Sequence, residues 1–257
     1  MVYFIAEAGI NHNGNIDTAK QMIDVAKSAG ADCVKFQYFH ENEVREVWDK
    51  IKGYCLDLHD VLALRDYCYN SNIDFLCSAF GINSLLGLCK ISDSVKIPSG
   101  KITDKDYLKF IADSFTNVII STGMADKNEI RAAHDIIPFA SILHCVSAYP
   151  PPDDECNLGA IKTLNKLYPF NKIGFSNHSE NYILDMMAVA AGAKIIEKHF
   201  TLDKGMEGQD HSMSLTPERL VWNIAEIRKA EAVMGNGELK CEECEKDLLF
   251  RRTKNES

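Results

Sequence analysis

A chain of 257 residues with an apolar fraction of 46% can bury one large core, and its length suits an eightfold barrel counted as one domain. A net charge of -9 argues against nucleic acid as a partner. No apolar run approaches a membrane span, and the start lacks a signal peptide's basic segment and cleavage site. Nine cysteines, odd in number and without framework spacing, point to buried thiols in a reducing cytoplasm.

Strand-like and helix-like segments alternate along the chain. Residues 3–8 read as a first strand, with Ile5, Glu7 and Gly9 on one face. The INHNG turn at 10–14 leads into a helix at 16–29, striped by Ile16, Ala19, Ile23 and Ala26 and ended by Gly30. A second strand at 33–39 places Lys35 and Gln37 on one face, and a charged excursion follows at 40–52. The pattern then gives a helix at 58–70, a strand at 74–80, a short helix at 83–89 and a strand at 94–98. Next come a helix at 104–113, a strand at 117–121, a helix at 127–135 and a strand at 140–146. A proline-rich loop at 149–154 and a helix at 158–167 precede two strands at 172–175 and 193–200, with a helix at 183–191 between them. The last helix, 217–234, starts on Pro217, a residue suited to a first helical turn. Residues 235–257 are polar and aperiodic apart from a patch at 248–250, and read as a linker or wrapping tail. Cys241 and Cys244 form a CxxC with no second pair to complete a zinc site.

Eight strand–helix units predict an α/β fold, a closed TIM (β/α)8 barrel spanning residues 1–234. The rival is an open doubly wound sheet, but the first turn carries no GxGxxG. The polar residues Glu7, Lys35, Ser99, Ser121, Ser147, Ser176, His178 and His199 all fall late in strands or just past them. On a barrel that is one face, the one where active sites sit. His178 and His199 lie at the ends of neighbouring strands, with Glu197 two residues before His199 and Asp210 and His211 on the following loop. Two readings are open: satisfied polar residues capping strand ends, or ligands converging on a metal. Lys35 and Lys96 either snorkel from strand edges or carry positive charge into the mouth, where with the serines they would suit an anionic substrate. The residues alone reach a metal-assisted reaction on a small phosphorylated or carboxylated metabolite.

Eight segments occur in order: FIAEAGINHNG, GADCVKFQYF, KIPSG, IISTGM, ILHCVSAYP, IGFSNHS, IEKHFTLDK and GQDHSMSL. Together, from Phe4 to about Met234, they resemble the sialic acid synthase family, the makers of nonulosonic acids. The resemblance implies condensation of phosphoenolpyruvate with an N-acetylated amino sugar of the N-acetylmannosamine type, with release of phosphate. Legionaminate or pseudaminate synthesis, or a non-catalytic scaffold in surface-polysaccharide assembly, are the alternatives. It also implies a homodimer, and Mn2+ or Mg2+ held by His178 and His199. Of the carboxylates that would take part in catalysis, Glu7 would stand beside the reacting centre, Glu197 would support the metal or its water, and Asp210 would contact the sugar or shape its pocket. Lys35, Lys96, Ser99, Ser121, Ser147 and Ser176 would bind phosphoenolpyruvate, with Gln37 and Tyr149 shaping the sugar pocket. The family's small antifreeze-like domain has no counterpart in these residues, and the alternatives are a truncated chain, a natural short form, or one part of a split enzyme whose partner is a separate antifreeze-like domain protein. SNHS at 176–179 departs from the family's SDHT, SAF at 78–80 from its STPF, and RRT at 251–253 resembles the RRS before its linker.

Overall fold

Eight parallel strands hydrogen-bond in sequence order and close on themselves, β1 pairing with both β2 and β8. The computed structural model describes residues 1–252; Thr253, the last residue of the RRT segment, lies outside them. The strands are β1 (Tyr3–Gly9), β2 (Cys33–Tyr38), β3 (Asp74–Ala79), β4 (Ser94–Ile97), β5 (Asn117–Ser121), β6 (Ser141–Cys145), β7 (Ile173–Asn177) and β8 (Ile195–His199). The helices are α1 (Ile16–Ser28), α2 (Trp48–Ile51), α3 (Leu58–Asn70), α4 (Ile82–Leu88), α5 (Lys105–Ser114), α6 (Lys127–Ile136), α7 (Gly159–Leu167), α8 (Ile183–Ala190) and α9 (Pro217–Met234). The predicted TIM barrel is therefore the fold.

Local chemistry sets many of the boundaries. Asn15, Asp57, Asp104, Asp126 and Thr216 each accept a backbone N–H in the first turn of the helix that follows. Each such cap contributes about 1 kcal/mol. β7 runs two residues further than expected, to Asn177, and β8 begins two residues later, at Ile195. His178 thus stands one residue past β7, and His199 is the last residue of β8. The excursion after β2 folds into α2 between two 3-10 turns. It carries a satellite apolar cluster of Ile10, Phe39 and Ile51, packed by Val44, Trp48 and Phe80.

The main core fills the space between strands and helices. Inside the barrel, a separate layer of Ile5, Cys33, Leu76, Leu143 and Ile195 plugs the end where the strands begin. Gly174 lets that layer close, because a Cβ there would stand 2.5 Å from Leu143 Cδ2 and 2.7 Å from Ile195 Cβ. Arg228 on α9 reaches back to Asp32 at 2.7 Å, and Asp32 also accepts the Phe4 N–H at 2.7 Å, so the last helix is tied to the first strands. After α9, a 3-10 run at Glu243–Arg251 lies exposed with its Leu248–Phe250 patch. Among the described residues no helix is long and apolar enough to cross a membrane.

Candidate active site

Alternation along each strand brings to the C-terminal end of the barrel the side chains lying two residues above the apolar plug. Glu7 is in register with Lys35 on one side and His199 on the other, and Ser176 with Glu197. These residues open into a cavity of about 400 Å³. Gln37, Lys96, Ser99, Ser121, Tyr149, His178 and Asp210 line it too. Ser147 stands beside it: a Cβ on Gly123 would collide with the Ser147 hydroxyl and lie 2.8 Å from Ser99 Oγ.

Glu197 is the hub. Its Oε2 is 2.9 Å from Lys35 Nζ, while Lys96 Nζ and Ser176 Oγ donate to its Oε1 at 3.1 and 2.9 Å. Lys35 also lies 3.4 Å from Glu7 Oε2, and Gln37 donates to Glu7 Oε1 at 3.0 Å. The lysine–carboxylate contacts on both Oε2 atoms are charge contacts without hydrogen-bond alignment, so these oxygens remain without a hydrogen bond. Both lysines and both glutamates are almost fully buried. Two amino groups therefore face two carboxyls out of water, an arrangement stable only while the set is complete.

Burial works against every charge here, and the neighbours decide the outcome. At Glu197 burial pushes the carboxyl up, but Lys35 and Lys96 outweigh it and hold it far below the ordinary range. At Lys35 burial pushes the ammonium down, yet Glu197 and Glu7 hold it above its ordinary value. Glu7 stays raised, by burial first and by the charge of Glu197 in the same sense, against Lys35. Lys96 is lowered, by burial first and by Lys35 in the same sense. One carboxylate is thus kept ionised, and a second is biased toward its protonated form.

Beside the lysines lie hydroxyls with unused capacity. Ser121 Oγ and Ser147 Oγ are buried without a hydrogen-bond partner, while Ser99 Oγ accepts the Gly123 N–H at 3.0 Å. Unpartnered buried hydroxyls next to buried ammonium groups suit an anion bearing several oxygens.

The histidines form a second pole. Their ring centroids are 5.6 Å apart, and the Tyr149 ring lies 4.2 Å from that of His178. His178 Nδ1 is hydrogen-bonded to Val146 O at 3.0 Å, with Cys145 Sγ at 3.8 Å. That bond fixes the ring and leaves Nε2 as its free nitrogen. His199 Nδ1 has no hydrogen-bond partner and lies 3.9 Å from Asp210 Oδ2. Burial, reinforced by the charges of His178 and Lys35, holds His199 well below its ordinary pKa, so it is the neutral imidazole a metal requires. Two imidazoles, one of them with an orphaned buried ring nitrogen, and a carboxylate are the donor types a divalent cation takes. His211 does not join them: its nitrogens face Thr201 Oγ1 at 2.7 Å and Asn13 Oδ1 at 3.1 Å.

The donors of His178, His199 and Asp210 stand further apart than 4.8 Å; among the described residues the group whose donor atoms all lie within that distance of one another, a spacing a divalent cation can bridge, is Asp57, His59 and Asp60. They sit at the start of α3, where Asp57 and Asp60 are engaged in a capping box, and none lines the cavity. The departure at Asn177 has a direct account. Its Nδ2 donates to the buried Asp185 at 2.7 Å, and Asn223 donates to the other Asp185 oxygen at 2.8 Å. An aspartate at 177 would set two carboxylates against each other.

Sequence reasoning missed Ser78, Cys145 and Gln209, which line the cavity, together with an apolar wall of Ile10, Phe39, Val44, Val47, Ile51 and Phe80. The same period-2 count that selects Ser176 would have found Cys145 two residues above Leu143. The 44, 47, 51 spacing is itself a helix-face signal.

The model of the NeuB family matches residues 22–239. A Campylobacter jejuni N,N'-diacetyllegionaminic acid synthase is 37% identical, over 94% of this chain and 80% of that protein. An N-acetylneuraminate-9-phosphate synthase of Drosophila melanogaster is 35% identical, over 85% of this chain and 65% of its own length. The crystal structure of an N-acetylneuraminic acid (sialic acid) synthetase from Leptospira borgpetersenii superimposes with a TM-score of 0.92 at 35% identity. That superposition covers 98% of this chain and 91% of the other.

Proposed function

The chain belongs to the NeuB family, and on that premise we propose that its barrel condenses phosphoenolpyruvate with an N-acetylated amino sugar and water, giving a nonulosonic acid and phosphate. The observation that carries the reading is the pairing of two poles in one cavity. Lys35 and Lys96 with unpartnered serine hydroxyls form one, and His178, His199 and Asp210 form the other.

The anion pole would bind the phosphate and carboxylate of phosphoenolpyruvate, with Lys35 and Lys96 supplying charge and Ser99, Ser121, Ser147 and Ser176 supplying hydroxyls. His178, His199 and Asp210 would hold Mn2+ or Mg2+, which when bound polarises the sugar aldehyde. Gln37 and Tyr149 orient the sugar. The enol carbon then bonds to the aldehyde carbon, leaving positive charge on the carbon that bears the phosphate. Glu7, biased toward its protonated form, is placed to give a proton to the aldehyde oxygen as that bond forms. Glu197, kept ionised by both lysines, lowers the cost of the positive charge. Water adds to the cationic carbon and its proton returns to Glu7, and the carbon–oxygen bond to phosphate breaks.

Phosphate release tests this, measured with phosphoenolpyruvate, a divalent cation and a panel of N-acetylated hexosamines. Release that requires both substrates and falls about 100- to 1000-fold in Glu197→Ala is expected, the loss when a group acting in the transition state is removed. Release independent of the sugar would overturn it.

A further inference from the structure

The cavity is lopsided. Its charged groups lie at its base and along the side of the histidines. On the neighbouring strands β1, β2 and β3 the loops that follow contribute an apolar wall, in which Ile10, Phe39, Val44, Ile51 and Phe80 pack as one cluster and Val47 lines the cavity as well. Among the described residues the only lysines or arginines lining the cavity are Lys35 and Lys96, and both are buried against Glu197. From this we infer that the amino sugar is unphosphorylated and carries apolar substituents, acetamido methyls and a deoxygenated end, on the part remote from its aldehyde.

The inference rests on the condensing reading above and narrows its sugar, from the N-acetylmannosamine type expected of the sequence. With phosphoenolpyruvate on the lysines and the aldehyde at the histidines, the rest of an open-chain sugar must extend toward the mouth. There it meets the wall. A phosphate placed against valine, isoleucine and phenylalanine would lose water without gaining a cation. A methyl group placed there leaves water for carbon contacts, worth roughly fourfold in affinity per methyl. The names of the relatives span the same contrast, since one is a diacetyl product and another a 9-phosphate.

The test compares kcat/KM for three sugars with saturating phosphoenolpyruvate: 2,4-diacetamido-2,4,6-trideoxymannose, N-acetylmannosamine and N-acetylmannosamine 6-phosphate. The expected order is as written, with the first at least tenfold above the second and a hundredfold above the third. Equal or better use of the 6-phosphate would overturn the inference while leaving the condensing reading intact. No phosphate release from any of the three would bring down the condensing reading, and the inference with it. Val47 is 41% exposed, so V47K keeps its ammonium in contact with water and does not disturb packing. V47K should shift the ratio of kcat/KM at least tenfold toward the 6-phosphate. An unchanged ratio would remove the wall from sugar selection.

Discussion

Two layers inside one barrel, two residues apart on the same strands, are built on opposite principles. Ile5, Cys33 and Ile195 fill the lower layer with carbon and sulfur; Glu7, Lys35 and Glu197 fill the upper one with charge. Backbone, register and closure are shared. The lower layer gains stability from leaving water. The upper layer costs solvation and is held only by mutual compensation. Function therefore resides where stability is conditional, above a plug whose stability is not.

The contrast can be broken most severely at Glu197. Glu197→Ala strands two buried ammonium groups and should cost about 3–5 kcal/mol in urea unfolding, along with activity. A loss under 1 kcal/mol would mean that the upper layer is solvated. Leu143→Ala in the plug should cost about 3 kcal/mol, lowering Tm by roughly 6–12 °C. Well below its Tm, that variant should keep wild-type kcat/KM, and a large fall would mean the two layers are coupled. Lys96→Ala should weaken phosphoenolpyruvate about 10- to 100-fold in calorimetric titration, the equivalent of about 1.5–3 kcal/mol. Unchanged affinity would remove Lys96 from the anion pole.

The subtlest difference is in pH. Glu197 is held below its ordinary value of 4.5, so its contribution is complete above that pH and is lost as acidity rises toward its folded value. Glu7, held above 4.5, acts in the opposite sense over its own interval. Stability against pH below 4.5 should therefore be flatter in Glu197→Gln, by up to about 1.4 kcal/mol per pH unit. Leu143→Ala should shift the whole curve without changing its slope, and a matching change of slope in both variants would erase the distinction.

The architecture was legible because buried parallel strands and capped helices leave strong local signals: α3, β5 and α9 fall where the periodicity puts them. That Glu7, Lys35 and His199 share the mouth follows from alternation plus the eightfold count. Two things were not legible. One is the convergence of Lys35 and Lys96 on Glu197, because no strand pattern encodes which cations reach across a barrel. His211 follows Asp210 directly, yet the loop turns it toward Thr201 and Asn13, because loop backbone lacks the periodicity that fixes direction in a strand. The wall was hidden because the excursion's charged residues mask its three-four apolar spacing.

The pairing of β1 with β8 sets Glu7 in register with His199, and Lys35 on β2 reaches past β1 to Glu197 on β8. The two poles therefore join across the closure between the two ends of the fold. A nascent chain that has delivered its first seven strands owns Glu7, Lys35, Lys96 and His178 but neither Glu197 nor His199. Buried lysines cannot settle before their shared carboxylate arrives, so the mouth should be the last part of the barrel to set during synthesis. Catalytic competence then reports that the chain has closed its ring.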